Sequence, residues 1–396
     1  MSWPMVKLGE VATINPRLPK DVDESQEVSF VSMASASEDG CLLDSEVRIL
    51  SETRKGFTYF EKDDVLLAKI TPCFENGKCL RPGQISKKIG FGSTEFHVIR
   101  PNPDLLDNLY LFYLVWSEHF RFLGEKSMSG AAGQKRVGTD FLKNFELPLP
   151  PLPEQKRIAA ILDKADAIRC KREQSIQLAD DFLRAVFLDM FGDPVTNPKG
   201  FRKGAITELA DVITGQAFKS DEYIGDSDAA VRLCRGTNTL TGYFDWSDTA
   251  YWPEDKLEGL EKYLISDGDV ILAMDRPWIS SGLKVCVFSP CERSTYLVQR
   301  VARLRPKNKI FSDYIYSCVK SDAFERHCCP TETTIPHISP VELRGFEVLI
   351  PEEPAIAHYH DVVSKVRAGM KCMQDSSVSA NDVFSSLSQR AFSGRL

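Results

Sequence analysis

The sequence predicts an α+β protein in which two similar globular domains are separated by two long helices forming an antiparallel coiled coil, with a pseudo-twofold internal repeat. Two observations carry this reading. The stretch from Glu154 to Phe191 contains no Gly or Pro, so it reads as one uninterrupted helix, roughly 57 Å long at about 1.5 Å per residue. The segments flanking it recur later in the chain in the same order, and a second long segment closes the repeat.

Taken in order, residues 1–152 make the first globular domain. Leu8–Asn15 opens it, Val28–Met33 alternates as a strand, and Gly56–Phe60 leads through a turn at Lys62–Asp64 into the apolar strand Val65–Ile70. Thr71-Pro72 breaks that strand, and a Gly- and Pro-containing loop runs from Cys73 to Gln84. Thr94–Arg100 alternates again, Leu105–Phe122 is an aromatic-rich helix, and the glycine-rich loop Ser127–Val137 precedes the proline-rich lead-in Leu147–Pro153. Residues 153–192 are the first spacer helix, 193–353 the second globular domain, and 354–396 the second spacer helix.

The second half answers the first. Ile206–Thr214 corresponds to Leu8–Asn15, Asp269–Pro277 to Asp64–Pro72, and Val301–Pro306 to Phe96–Pro101. Phe145–Pro150 aligns with Phe346–Pro351, and the same offset pairs the helices without a gap, Leu183 with Phe384 and Phe191 with Phe392 among them. The seam of the predicted coil is Ile158, Ile161, Ala165, Ile168, Phe182 and Val186 on one helix, and Tyr359, Val362, Val366, Phe384 and Leu387 on the other. Arg172 and Ser175 interrupt it, and Gly369 weakens the second helix.

Composition sets bounds. A chain of 396 residues with 43% hydrophobic content holds two domains with real cores. No basic, apolar leader opens the chain and no apolar run is long enough for a membrane span, which predicts a soluble, cytoplasmic protein. Eleven scattered cysteines without a Cys-x-x-Cys read as thiols in a reducing compartment. A net charge of −7 argues against strong DNA binding by the chain alone, because Lys and Arg on phosphates dominate such affinity.

Several chemistries lack their residues. The sequence has no Gly-x4-Gly-Lys-Ser/Thr phosphate loop, no strand followed by Gly-x-Gly-x-x-Gly, and no Asn/Asp-Pro-Pro-aromatic tetrapeptide. Pro103-Asp104 has no downstream Glu-x-Lys to complete a nuclease centre, and the six histidines make no His-x3-His pair. The expectation is a chain without catalytic residues, metal or cofactor of its own.

The run Pro148–Ile158, the helix with Ala165-Asp166, and Phe187–Pro194 resemble the central conserved region of the specificity (S) subunits of type I restriction-modification systems, and the duplicated organisation covers essentially the whole chain. The resemblance implies that each globular domain is a target recognition domain for one half of an interrupted, asymmetric site in double-stranded DNA. It implies that the helix pair sets the spacing and docks two methyltransferase (M) subunits, with motor-nuclease (R) subunits joining for cleavage. S-adenosylmethionine, ATP and Mg then belong to those partners, which carry adenine N6-methylation and cleavage. The first helix has the family's Pro-Glu-Gln-Lys-Arg entry at 153–157, and the second departs from it, beginning Pro351-Glu-Glu-Pro-Ala-Ile-Ala-His358.

Base edges are read by hydrogen-bonding forks and phosphates by cations, so polar and basic residues on loops after strands are the candidate contacts. In the first domain these are Lys69, Thr71, Asn76, Lys78, Lys87, Lys88, Gln134, Lys135 and Arg136. The loop Gly130–Arg136 is the sharpest choice, since small residues allow close backbone approach beside three long polar side chains; an exposed loop without a ligand remains the alternative. In the second domain they are Arg235, Asn238, Arg276, Trp278, Ser280, Lys284, Arg300, Thr333, Thr334 and His337. A protein-interaction scaffold with duplicated binding domains is the competing reading of the whole chain.

Overall fold

The computed structural model describes residues 3–131, 133–289, 293–328 and 337–396, the side chains of 371–382 excepted. It divides into two compact units, one of residues 1–173 with 375–396 and one of residues 174–374. The units cut across the four sequential segments read from the sequence, because each takes part of both long helices.

In the first unit the strand Val65–Ala68 is buried along its whole length. It lies in a four-stranded sheet in the order Ala12–Ile14, Phe96–Pro101, Val65–Ala68, Cys79–Leu80. Val65 and Leu67 pack into the core under the helices, and Leu66 and Ala68 into a second core beneath the other sheet. The period-two side-chain alternation of a strand explains why an unbroken apolar run is needed here: both faces are covered. The other sheet runs Glu46–Ile49, Glu27–Val31, Ile89–Gly92, Thr58–Glu61, and Glu27–Val31 is parallel to Ile89–Gly92. The aromatic segment forms two helices, Asn108–Trp116 and Glu118–Ser127, rather than one, since Ser117 is extended and caps the second through a bond accepted from Phe120 N.

The second unit has the same plan. Its central sheet runs Ala210–Thr214, Val301–Pro306, Val270–Ala273, Val285–Val287, and its other sheet Ala250–Pro253, Ala230–Cys234, Thr295–Leu297. Where the first unit has the edge strand Thr58–Glu61, the second has, among the described residues, an isolated bridge between Leu264 and Tyr296. A buried ion pair marks the repeat at atomic level. Arg100 Nε and Nη2 donate to the two oxygens of Asp64 at 2.8 and 2.7 Å, and Arg305 makes the same pair with Asp269 at 2.9 and 2.8 Å. The aspartate before each apolar strand is therefore structural, a planar fork on a carboxylate.

The long helices are Leu152–Phe191 and Glu353–Phe392, each 40 residues. Both carry proline in the first turn, where its missing N–H leaves no hydrogen bond unmade. In the first unit Ile158, Ala159 and Leu162 share a core with Ala391, and Phe384, Leu387 and Phe392 pack against it. In the second, Phe187 and Phe191 share a core with Ile356, Tyr359 and Val363. Ile161, Ala165, Val186, Val362 and Val366 are half-buried. Two predicted seam residues are corrected: Ile168 is 50% and Phe182 52% exposed. At the turn of Ile168 the inward position is held by Asp166, buried against Arg81 and Arg169, and near Phe182 it is held by Leu183 and Phe187. The phase of the buried face follows each unit's own core rather than an unbroken heptad.

Candidate nucleic-acid interface

The end of the strand Val65–Ala68 and the glycine-rich loop form one platform. Val137 N donates to Lys69 O at 2.9 Å and Thr71 N to Lys135 O at 3.0 Å, while Ser129 and Arg136 exchange backbone bonds of 3.2 and 2.9 Å. Gly130 and Gly133 have φ of 125° and 79°, and a Cβ on Gly130 would meet Gln134 O at 2.9 Å, so glycine is required where the loop doubles back. The loop thus has a pinned base and an exposed tip carrying Gln134 and Lys135.

Arg136 is held. Its Nε and Nη2 donate to the two oxygens of Glu95 at 2.9 and 3.0 Å, and its Nη1 donates to Gln134 O at 3.1 Å. The Arg136 guanidinium in turn holds the Glu95 carboxyl below the ordinary glutamate range. Of the three long polar side chains of the loop, Arg136 is thus the one braced by a carboxylate. Beneath the platform, His97 bonds Val137 O through Nε2 at 2.9 Å, tying the loop base to the central sheet.

The remaining first-unit candidates divide. Lys69 and Thr71 lie on the platform, with Thr71 Oγ1 donating to Glu75 at 2.7 Å. Asn76 and Lys78 serve the following turn, Asn76 Nδ2 bonding Glu38 at 2.9 Å and Lys78 Nζ the Met33 carbonyl at 3.3 Å. Lys87, paired with Glu27, and the exposed Lys88 precede the strand Ile89–Gly92, which belongs to the other sheet.

In the second unit the corresponding backbone bonds are Met274 N to Arg300 O and Ile338 N to Met274 O, both 2.9 Å. Asp275 bridges His337 as Ile70 bridges Arg136. Here Asp275 is the shared acceptor: Arg300 Nη1 donates to one oxygen at 2.5 Å and His337 Nδ1 lies 2.5 Å from the other. Arg276 is exposed, Trp278 stacks on Phe324 with centroids 6.5 Å apart, and Ser280 is exposed on the hairpin that follows. Lys284 is half-buried, and desolvation lowers its pKa. Asn238 is a correction: it is buried, and its Nδ2 donates to the carbonyls of Asp245 and Asp248 at 2.9 Å each. Arg235 closes the same turn through Asp248 at 2.9 Å. Thr333 and Thr334 lie outside the described residues. Among the described residues no group of acidic, His or Cys side chains could hold a metal ion, and no helix is long and apolar enough to cross a membrane.

Residues 2–179 match the type I restriction modification DNA specificity domain. The EcoAI specificity subunit of Escherichia coli is 27% identical over 86% of this chain and 73% of its own length. The EcoEI specificity subunit from the same organism is 42% identical over 41% of this chain and 27% of its own length. The first part of this chain thus carries the type I DNA specificity domain, and most of its length is similar to type I specificity subunits. The MjaVIII specificity subunit of Methanocaldococcus jannaschii adds 27% identity over 68% of this chain and 66% of that subunit. The S subunit of the type I system from M. genitalium shares the fold, with a TM-score of 0.57 at 13% identity over 98% of this chain and 96% of that one.

The two platforms contain two residues that reading the sequence missed, Glu95 and Asp275. Cations and amides are the residue types that signal base and phosphate contacts, and a carboxylate gives no signal of that kind. Glu95 aligns with Arg300 when Phe96 is set against Val301, so a comparison of the halves would have exposed the change of charge.

Proposed function

We propose that this specificity subunit gives its type I assembly its DNA address, each unit reading one half of an interrupted, asymmetric site in double-stranded DNA. The carrying observation is the platform itself: both units pin a loop to the same strand end through equivalent backbone bonds, yet present different side chains there. Similar scaffolds with different reading edges suit an asymmetric target. The contacts of this reading are the exposed Gln134, Lys135, Arg276, Ser280, Arg300 and His337 and the half-buried Lys69 and Arg136, with Lys87 and Lys88 as outlying cations.

In the same proposal the long helices pair antiparallel as a spacer, which the shared cores at their opposite ends support. They dock two methyltransferase subunits, for which Ile168, Leu178, Phe182 and Leu188 supply exposed apolar surface on the first helix. S-adenosylmethionine, ATP and Mg sit on the methyltransferase and motor-nuclease subunits, and this cytoplasmic chain is not itself catalytic. The test is enrichment from a random DNA pool with and without the methyltransferase partner. An interrupted motif is expected, strongest with the partner because the chain alone carries −7. No motif under either condition defeats the reading in favour of a protein-interaction scaffold.

A further inference from the structure

The two platforms correspond position by position. Residues 95, 136 and 70 of the first unit occupy the places of 300, 337 and 275 in the second, since Lys69 N bonds Glu95 O as Met274 N bonds Arg300 O, both at 2.9 Å, and the bridges Ile70–Arg136 and Asp275–His337 match. The first unit fills them with Glu, Arg and Ile, the second with Arg, His and Asp. Each unit therefore places an arginine beside a carboxylate at one point of the fold, from different positions: the arginine of the second unit stands where the first has Glu95, and its carboxylate where the first has Ile70.

The bonds of Arg136 leave a defined edge. A guanidinium has five N–H groups. One on Nε and one on Nη2 are engaged by Glu95, and one on Nη1 by Gln134 O. Each terminal nitrogen keeps one N–H, the two donors that guanine O6 and N7 call for in the major groove. Glu95 sets the plane of the fork before DNA arrives, so little side-chain freedom is left to lose on binding. In the second unit Arg300 stands in the left-handed region, with φ of 63°, and its side chain is 72% exposed. A strained, exposed arginine whose carboxylate partner also holds His337 is more than a surface ion pair needs.

We propose that Arg136 reads a guanine by its terminal fork, that Arg300 and His337 form the corresponding reading group of the second unit, and that Glu95 and Asp275 are the positioning residues that orient them. This rests on the reading of one half-site by each unit.

The experiment uses the full chain assembled with its methyltransferase partner and random-pool enrichment. The wild type is expected to select a guanine at one position of the half-site read by the first unit. Arg136→Lys keeps the charge but not the fork, and Glu95→Gln keeps the volume but removes the charged two-oxygen brace. Each should relax that position alone, Arg136→Lys by roughly tenfold to a hundredfold, with the other half-site and the salt dependence of binding unchanged. The intact second half-site shows that the variant is folded. Asp275→Asn should relax a base of the other half only. Base preferences unchanged in Arg136→Lys and Glu95→Gln, or weakened uniformly across both halves, overturn the inference while leaving the function standing. A wild type that enriches no motif overturns both.

Discussion

His97 shows how much one buried side chain can decide. Asn15 Oδ1 accepts from Val98 N at 2.9 Å, which turns its amide nitrogen toward His97 Nδ1 at 3.1 Å. Nδ1 must then accept, so the proton sits on Nε2 and is donated to Val137 O. Burial lowers the imidazole pKa, and protonation would set two donors against each other. With the folded pKa below the unfolded one, the contribution is complete above the unfolded value, about 6.5, and is lost as pH falls through the folded one. The melting temperature of the wild type should therefore fall more steeply between pH 7 and pH 5 than that of His97→Gln; parallel curves would refute the assignment. Asp107 makes a second local prediction. Its carboxylate accepts from Leu109 N at 3.1 Å and Tyr110 N at 2.9 Å, so Asp107→Ala should cost about 1 kcal/mol in chemical denaturation.

Among the elements, the two long helices begin by different chemistry. Gln155 is fully buried; its Nε2 donates to Leu105 O at 2.9 Å and Pro150 O at 2.8 Å, and its Oε1 accepts from Asp107 N at 2.8 Å. The second helix has buried Ile356 at the equivalent place, packed among Phe187, Phe191 and Tyr359 in one cluster. One joint is held by hydrogen bonds and the other by apolar contact, which accounts for the departure of the second helix from the family's opening residues. Gln155→Leu should destabilise by at least about 2 kcal/mol, because three backbone groups lose their partner. Ile356→Val should cost only about 1 kcal/mol. Equal costs in urea titrations would contradict this difference. The helices themselves were legible from their freedom from interior proline and from their periodicity. The buried phase at Ile168 and Phe182 was not, since it depends on where Asp166, Leu183 and Phe187 meet side chains far away in sequence.

For the whole molecule, the spacer proposal makes a prediction about length. One helical turn inserted into both long helices, about 5.4 Å of rise, should lengthen the preferred gap between half-sites in pool enrichment. An unchanged gap would sink the idea that the helices set it.

The duplication, the long helices, the apolar strands Val65–Ala68 and Val270–Ala273 and the resemblance to specificity subunits were determined by sequence alone. Periodicity and repeated order are properties of the chain read along its length. Tertiary structure decided which polar residues are occupied. Asn238 reads as a contact and is a buried turn-former; Arg136 reads as a contact and is braced by a carboxylate; Glu95 and Asp275 carry no cationic signal and yet stand at the centre of each platform. The physical reason is that hydrogen-bond partnership is a long-range fact. Glu95 meets Arg136 and Asp275 meets His337 only because strand pairing and a pinned loop bring distant segments to one edge.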